Sequence, residues 1–209
     1  MQFHFHHGSE HTIEGERQDL EMHTVHLAEE IEGGVPYAAM GIFFSVNKYS
    51  RKFEDWEIAI IDEFFDTLEW DVTAENPKVH KVTYGKLMNM VDMNNRWTYR
   101  GSVTTPPCAT SVYWNVLRTV YPIKEKHLNL FKKQLERGHM LDTGNYRITQ
   151  PLVDFHKPYI ITSGYLSDTW VFTSRLTPNF GKDPIVVLIF IIILASLFFM
   201  CYKTHLFFK

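Results

Sequence analysis

Two short segments near the start of the chain carry histidines at strand-like spacing. The segments are residues 2–6, which read QFHFH, and residues 20–26, which read LEMHTVH. Side chains of an extended strand alternate between its two faces, so His4 and His6 share one face of the first segment. Glu21, His23 and Val25 likewise share one face of the second. Two such strands side by side can bring three imidazoles to one point, with a carboxylate two residues from the third.

This histidine pattern is typical of a metal site. Three histidine ligands with an open fourth position are the arrangement of a catalytic zinc ion. A structural zinc site usually closes its ligand shell, often with cysteine, and this chain has only two cysteines. A solvated loop or a tag is the alternative, but phenylalanines separate these histidines and a second strand-like segment follows. His7, His11 and His26 lie nearby, so the spacing does not decide which three bind.

Further motifs follow the histidine segments in a fixed order. They are GSEHT at residues 8–12, WTYRGSVTTPP at residues 97–107 and NYRITQPL at residues 145–152. Together with the first two segments, they resemble the alpha-class carbonic anhydrases from residue 1 to about residue 152. The resemblance implies a β-dominated domain with peripheral helices and a large, twisted, mostly antiparallel sheet. It also implies a zinc lyase that reversibly hydrates carbon dioxide to bicarbonate and a proton through a zinc-bound hydroxide.

The resemblance assigns roles to the matching residues. Three histidines would bind Zn²⁺: His4, His6 and His23. Thr104 would accept a hydrogen bond from the hydroxide, and Glu10 would orient Thr104. Three groups would hold the imidazoles: the side chains of Gln2 and Glu21 and the backbone carbonyl of Asn145. Carbon dioxide or bicarbonate would contact five residues: Val25, Val103, Thr105, Val112 and Trp114.

The start of the chain differs from the resembled family. There, a large part of the domain precedes the QFHFH strand, including a proton-shuttling histidine, whereas Met1 precedes that strand here. We therefore expect an N-terminally truncated domain over residues 1–162, with impaired activity. Cys108 matches one half of a disulfide whose partner lies in that preceding part, and a buried free thiol is the alternative.

The last part of the chain has the composition of a membrane anchor. Residues 184–202 contain no charged residue and are about as long as a bilayer-spanning helix requires. We expect a stalk over residues 163–183, a single transmembrane helix over 184–202 and a short tail over 203–209. Lysines after the helix favour a cytosolic tail and an extracellular or lumenal catalytic domain. Because no apolar signal segment opens the sequence, a tail-anchored cytosolic domain is the alternative.

Apolar periodicity predicts the remaining elements. They are strands over residues 36–46 and 111–120, helices over 55–68 and 124–137, and a connector with a short strand over 79–91. The inward residues of the two helices would be Trp56, Ile60, Ile61, Phe64 and Leu68 in the first, and Leu128, Phe131 and Leu135 in the second.

Composition limits the possible partners and functions. The net charge is −3 with 22% charged residues, so the chain has no basic footprint for nucleic acid. The alternative to an enzyme is a non-catalytic relative that serves as a surface binding or adhesion module. Such relatives usually lose a zinc ligand, whereas all three histidines are present here.

Overall fold

The computed structural model describes five stretches of the chain: residues 2–27, 36–70, 81–110, 112–150 and, for the backbone alone, 159–162. Their elements belong to one compact unit that ends at Thr162. In chain order these residues form β1 (Gln2–His7), β2 (Thr12–Ile13), β3 (Glu16–Arg17), β4 (Leu20–Leu27), β5 (Tyr37–Ser45), α1 (Asp55–Asp66), α2 (Tyr84–Met90), β6 (Asn95–Gly101), β7 (Val112–Pro122), α3 (Glu125–Arg137) and β8 (Tyr159–Thr162).

A mixed six-stranded sheet dominates the described fold. Its strand order is β1-β4-β5-β7-β6-β8, and β2 and β3 form a separate two-stranded hairpin. The pairing of β5 with β7 is parallel, and the other four pairings are antiparallel. The predicted β-dominated fold with a large sheet and few helices is therefore confirmed, and most of its strand pairs are antiparallel.

One face of this sheet is covered by the three helices. Alternate side chains of β1, β4 and β5 point to this face and pack with the helices into the main apolar core. Its fully buried members include Leu20, Met22, Ile42, Phe44, Phe64, Phe65, Leu87, Leu117 and Tyr121. Burial of this much apolar surface is the main source of stability for the unit.

The opposite face of the sheet changes character from one strand to the next. Over β1 and β4 it carries polar side chains, namely His4, His6, Glu21 and His23. Over β5, β7 and β6 it carries a second, smaller apolar cluster formed by Ala39, Phe43, Val112, Trp114, Val116 and Val120, with Trp97, Tyr99 and Val103 packed against it. The histidines therefore lie beside this apolar cluster on the same face of the sheet.

Most of the predicted elements are confirmed, with two errors. The strands predicted over 36–46 and 111–120 are β5 and β7, and the predicted helices are α1 and α3. Trp56 was wrongly placed in the core, since it is 59% exposed. The buried stripe of α1 instead runs through Glu57, Ile61, Phe64 and Phe65, and Trp56 lies on its flank. A short strand was wrongly predicted in the connector over residues 79–91: in its described part, residues 81–91, helix α2 forms instead and buries Leu87.

The predicted membrane segment cannot be compared with these elements. Within the described stretches, no helix is both long enough and apolar enough to cross a bilayer. The predicted stalk, transmembrane helix and tail, over residues 163–209, lie outside the described residues. Cys108 lies inside them and is a half-buried free thiol.

Candidate metal centre

Three histidines converge on the polar part of the sheet. β1 and β4 pair so that His4 lies opposite His23 and His6 lies opposite Glu21. One ring nitrogen from each of the three histidines lies within 4.8 Å of the other two. The ring centroids are 5.0 Å apart for His4 and His6, 5.3 Å for His4 and His23, and 4.6 Å for His6 and His23. The strand register thus brings the three predicted ligands together.

Two of these imidazoles are held by the nitrogen that faces away from the cluster. His6 Nδ1 donates to the backbone carbonyl of Asn145 at 2.5 Å, and His23 Nε2 donates to Glu21 Oε1 at 2.9 Å. The remaining nitrogens, Nε2 of His6 and Nδ1 of His23, are buried and have no hydrogen-bond partner among the described residues. Buried polar atoms are normally paired, so two adjacent unpaired nitrogens indicate a ligand.

Glu10 places a negative charge beside these nitrogens. Its Oε1 accepts a hydrogen bond from the backbone N–H of Arg147 at 2.7 Å. Its Oε2 is buried without a hydrogen-bond partner, 3.6 Å from His6 Nε2 and 3.7 Å from His23 Nδ1. A buried charge is costly unless it is compensated, and a divalent cation held by the imidazoles would compensate it. The donor set therefore fits zinc, which favours histidine nitrogens.

The pKa values favour neutral imidazoles at this cluster. Burial, followed by the neighbouring His23 and His6, lowers the pKa of His4 to about 4. Burial and then His23 also lower the pKa of His6. Because a histidine must be deprotonated at the ligating nitrogen to bind a metal, these two side chains are ready to bind at neutral pH.

Glu21 links His23 to a second buried network. Its Oε2 accepts from the backbone N–H of His11 at 2.9 Å, and its Oε1 lies 2.6 Å from His11 Nδ1. The other His11 nitrogen lies 2.6 Å from the Tyr99 hydroxyl. Burial would raise the pKa of Glu21, but His11 and His23 hold it well below its usual range. Burial would lower the pKa of His11, but Glu21 raises it.

A glycine provides the space that Glu21 occupies. Gly41 on β5 lies opposite His23 in the strand register. A Cβ atom at Gly41 would lie 2.5 Å from Glu21 Oε1, closer than such atoms approach one another in proteins. The glycine therefore allows the carboxylate to lie over β5 and reach both of its histidines.

The two residues of the predicted catalytic pair, Thr104 and Glu10, line the same cavity but are not hydrogen-bonded to each other among the described residues. Thr104, Glu10 and His11 line one cavity of about 790 Å³. Within the described stretches, no hydrogen bond joins Thr104 to Glu10, whose Oε2 faces His6 and His23 instead. Glu10 thus lies beside the histidines, whereas the predicted contact between Thr104 and Glu10 stays a prediction.

The five predicted substrate contacts differ in their placement. Val112 and Trp114 are buried, and the Trp114 ring centroid lies 4.7 Å from that of His23. Val25 and Val103 are half-buried, and Val103 packs against the apolar cluster that contains Trp114. Thr105 is exposed and does not belong to the described lining of the cavity.

The three predicted supports of the imidazoles also differ. Glu21 and the Asn145 carbonyl contact His23 and His6, as described above. Gln2 is exposed, and its side chain makes no hydrogen bond to His4 in the described part of the chain. The role proposed for Gln2 therefore has no contact to support it here.

From the sequence, His11 was one of several histidines that could bind a metal, whereas Tyr99 and Arg147 had no role. His11 and Tyr99 extend the Glu21 network, and the backbone of Arg147 holds Glu10. The alternation of Trp97, Tyr99 and Gly101 in β6 would have placed Tyr99 on the same face as Trp114, its register partner. Arg147 contacts Glu10 through its backbone N–H, so the identity of its side chain does not indicate this contact in the sequence.

Comparison with known proteins gives a consistent result. The sequence model of a family described as "Eukaryotic-type carbonic anhydrase" matches residues 1–155. A carbonic anhydrase of Nostoc sp. is 29% identical over 74% of this chain and 51% of its own length. Carbonic anhydrase 7 of Mus musculus is 31% identical over 72% of this chain and 61% of its own length. The chain thus spans about half to two thirds of the length of these relatives.

Solved structures show the same likeness. The alpha-carbonic anhydrase of Thermovibrio ammonificans, determined with the inhibitor sulfanilamide, is 29% identical and superposes with a TM-score of 0.52. The alignment covers 76% of this chain and 60% of that one. The family model, which matches residues 1–155, includes the residues of the histidine cluster.

Proposed function

Because the chain belongs to the eukaryotic-type carbonic anhydrase family, we propose that it catalyses the reversible hydration of carbon dioxide to bicarbonate and a proton with the aid of zinc. One observation carries this proposal. His4, His6 and His23 present nitrogens within 4.8 Å of one another, and two of these buried nitrogens lack hydrogen-bond partners among the described residues. Alpha carbonic anhydrases use zinc, and this donor set suits it.

The three histidines would hold zinc through neutral nitrogens, which leaves the double charge of the ion undiminished. Bound zinc makes a water molecule acidic enough to supply hydroxide near neutral pH, a property for which carbonic anhydrases are themselves the reference case. Glu21 and the Asn145 carbonyl keep a proton on the outer nitrogens of His23 and His6. The inner nitrogens are thereby left free to bind the metal.

Thr104 and Glu10 would orient the reacting groups. We propose that the Thr104 hydroxyl donates to Glu10 Oε2, so that its oxygen accepts a hydrogen bond from the nucleophile. The shared cavity supports this pairing, and so does the absence of another described hydrogen-bond partner for Glu10 Oε2. The contribution would be one of positioning rather than proton transfer.

The apolar cluster beside the histidines suits a small, uncharged substrate. Carbon dioxide would lie against Trp114, whose ring contacts that of His23, and against Val25, Val103 and Val112. Thr105, at the exposed side, would contact bicarbonate as it leaves. Carbon dioxide is uncharged, so it needs no charged side chain in this apolar cluster to bind.

The direct test measures zinc and turnover on the same preparation of the full chain. We expect stoichiometric zinc and carbon dioxide hydration that sulfonamides inhibit, and His23→Ala should lose both. His139→Asn is the matched control, because His139 is exposed and its φ of 54° is one that asparagine tolerates. A folded wild-type chain that binds no zinc would contradict the proposal.

The alternative is a non-catalytic module that binds partners at a surface. Some members of the family are inactive, and the missing contact between Thr104 and Glu10 in the described structure favours this alternative. Stoichiometric zinc without carbon dioxide hydration, in protein that melts cooperatively, is the result that this alternative predicts.

We further propose that residues 184–202 anchor the protein in a membrane, with the catalytic domain extracellular or lumenal. The support is the uncharged apolar sequence of suitable length. Membrane fractionation of the full chain, compared with a chain that stops after residue 183, tests this. Extraction of both chains by high salt alone would contradict it.

A further inference from the structure

The side chain of Asn145 makes two contacts that its carbonyl role does not require. Its Nδ2 donates to the backbone carbonyl of Phe5 at 2.7 Å, and its Oδ1 accepts from the backbone N–H of His7 at 2.9 Å. The backbone carbonyl of the same residue accepts from His6 Nδ1. A single residue, 139 positions away in the sequence, therefore contacts three consecutive residues of β1.

The two side-chain contacts reproduce the pattern of a neighbouring strand. Backbone groups of successive strand residues point to alternate sides, so Phe5 and His7 present theirs to the side away from β4. A residue of a parallel strand would donate to the carbonyl before His6 and accept from the N–H after it. The Asn145 amide makes this same pair of bonds at the edge of the described sheet, where β1 lies.

The two residues that follow Asn145 are themselves held by contacts with the loop after β1 and with β3. The backbone N–H of Arg147 donates to Glu10 at 2.7 Å. The guanidinium of Arg17 lies 4.1 Å from the centre of the Tyr146 ring and also donates to the carbonyl of Arg147 at 3.2 Å. Tyr146 in turn packs over Gly8, whose φ of +68° and lack of a Cβ allow the close approach. Asn145 is thus presented to β1 by a fixed backbone.

We propose that the Asn145 side-chain amide is a positioning element for His6. By pairing with the backbone on either side of His6, it fixes the strand from which the imidazole projects, while the carbonyl fixes the ring. His6 Nε2 is then directed at the cluster in the absence of metal. This inference rests on the proposed role of His6 in zinc binding.

The test compares Asn145→Ala and Asn145→Asp with Asn94→Ala, a control at an exposed turn residue. Two quantities are measured on the full chain: zinc affinity by competition with a chelator, and hydrogen exchange of the His7 amide in metal-free protein. Asn145→Ala removes both side-chain bonds, so zinc affinity should fall about tenfold and the His7 amide should exchange faster. Thermal melts identify any variant that is unfolded.

Asn145→Asp keeps the acceptor for His7 but loses the donor to Phe5. We expect it to retain protection of the His7 amide while still binding zinc more weakly than wild type. Should Asn145→Ala fail to fold, this second variant tests the inference alone. The inference is wrong if a folded Asn145 variant has lost its side-chain hydrogen bond to β1 and still binds zinc as tightly as the wild type does. Absence of zinc from the wild type would instead contradict the proposed function, while the His7 exchange still reports on the amide.

Discussion

The two faces of the six-stranded sheet use the same strands for different purposes. On β1, Phe3 and Phe5 point to the helices, whereas His4 and His6 point to the candidate metal site. The helix-covered face is mainly apolar, although it also buries a few polar side chains such as Thr24 and His127. The site face over β1 and β4 buries ionisable groups and leaves several of their polar atoms unpaired. The difference indicates that the stability of the unit comes mainly from the helix-covered face, and it places the proposed chemistry on the other face.

The largest effect on stability is expected on the helix-covered face. Phe64 is fully buried, and its ring centroid lies 6.0 Å from that of Phe3, 6.3 Å from Phe5 and 5.2 Å from Phe65. Phe64→Ala should lower the free energy of unfolding by about 3–5 kcal/mol, as measured by urea denaturation. Zinc affinity of the folded fraction should be unchanged. A large loss of affinity without a loss of stability would contradict the separation of roles.

The next largest effect is expected at the carboxylate behind His23. Glu21→Gln removes the charge that holds both His23 and His11, so zinc affinity should fall about tenfold to a hundredfold. Chelator competition measures this fall. Glu16→Gln is the matched control, because Glu16 is exposed and pairs with Lys48 on the surface. Equal zinc affinity of the two variants would show that Glu21 does not act on the metal site.

A smaller change of the same kind is expected from a single methyl group. Gly41→Ala should displace Glu21 from His23, since the new Cβ would lie 2.5 Å from Glu21 Oε1. We expect a loss of zinc affinity of about tenfold or less. Gly85→Ala is the control, because it meets open space in α2 and should stabilise the helix by up to about 1 kcal/mol. Unchanged zinc affinity in Gly41→Ala would contradict this prediction, because it would mean that Glu21 keeps its contact with His23 despite the added methyl group.

The folding stability of the metal-free protein should also depend on pH, because the buried histidines lie on the site face. The pKa of His4 is about 4 when folded and 6.5 in the reference state, so the unfolded chain binds more protons between these values. His4 therefore contributes stability above pH 6.5 that is lost as the pH falls towards 4. Denaturation curves at a series of pH values, with zinc chelated, measure this loss.

The control for this pH dependence is His4→Gln, which removes the titrating group. Its stability should depend less steeply on pH over the same range, although His6 still contributes in the same direction because its pKa is also lowered. The raised pKa of His11 acts in the opposite sense, since its contribution is present at low pH and is lost as the pH rises. Identical pH profiles for wild type and His4→Gln would contradict the lowered pKa.

The smallest effect is expected at the exposed flank of α1. Trp56 is 59% exposed, so Trp56→Ala should change the free energy of unfolding by no more than about 0.5 kcal/mol. Urea denaturation alongside Phe64→Ala gives the comparison on one helix. A destabilisation close to that of Phe64→Ala would show that Trp56 is covered in solution.

Sequence reasoning succeeded where a period of two decides the geometry. The alternation in residues 2–6 and 20–26 was enough to predict that His4 and His6 share one face of their strand and that Glu21 and His23 share one face of theirs. The pairing of the two strands then brings these faces together. The family resemblance then selected His4, His6 and His23 as the ligands among the nearby histidines. The same reasoning misplaced Trp56, since a helical stripe is wide and its flank can be apolar without being buried.

Contacts between distant backbone groups could not be predicted in this way. The Asn145 amide meets Phe5 and His7 across 140 and 138 positions, and the backbone of Arg147 meets Glu10 across 137. Backbone donors are the same in every residue, so the sequence does not indicate which one is used. The network of His11 and Tyr99 likewise depends on the order of strands in the sheet, which periodicity alone does not give.

X-ray absorption at the zinc edge on the full chain tests the central claim most directly. Three histidine nitrogens at about 2.0–2.1 Å and one oxygen should surround the ion, and His23→Ala should lose one of these nitrogens if it still binds zinc. A shell that contains sulfur, a shell closed by a carboxylate in place of one histidine, or a spectrum unaffected by His23→Ala would contradict the claim that His4, His6 and His23 form the metal site.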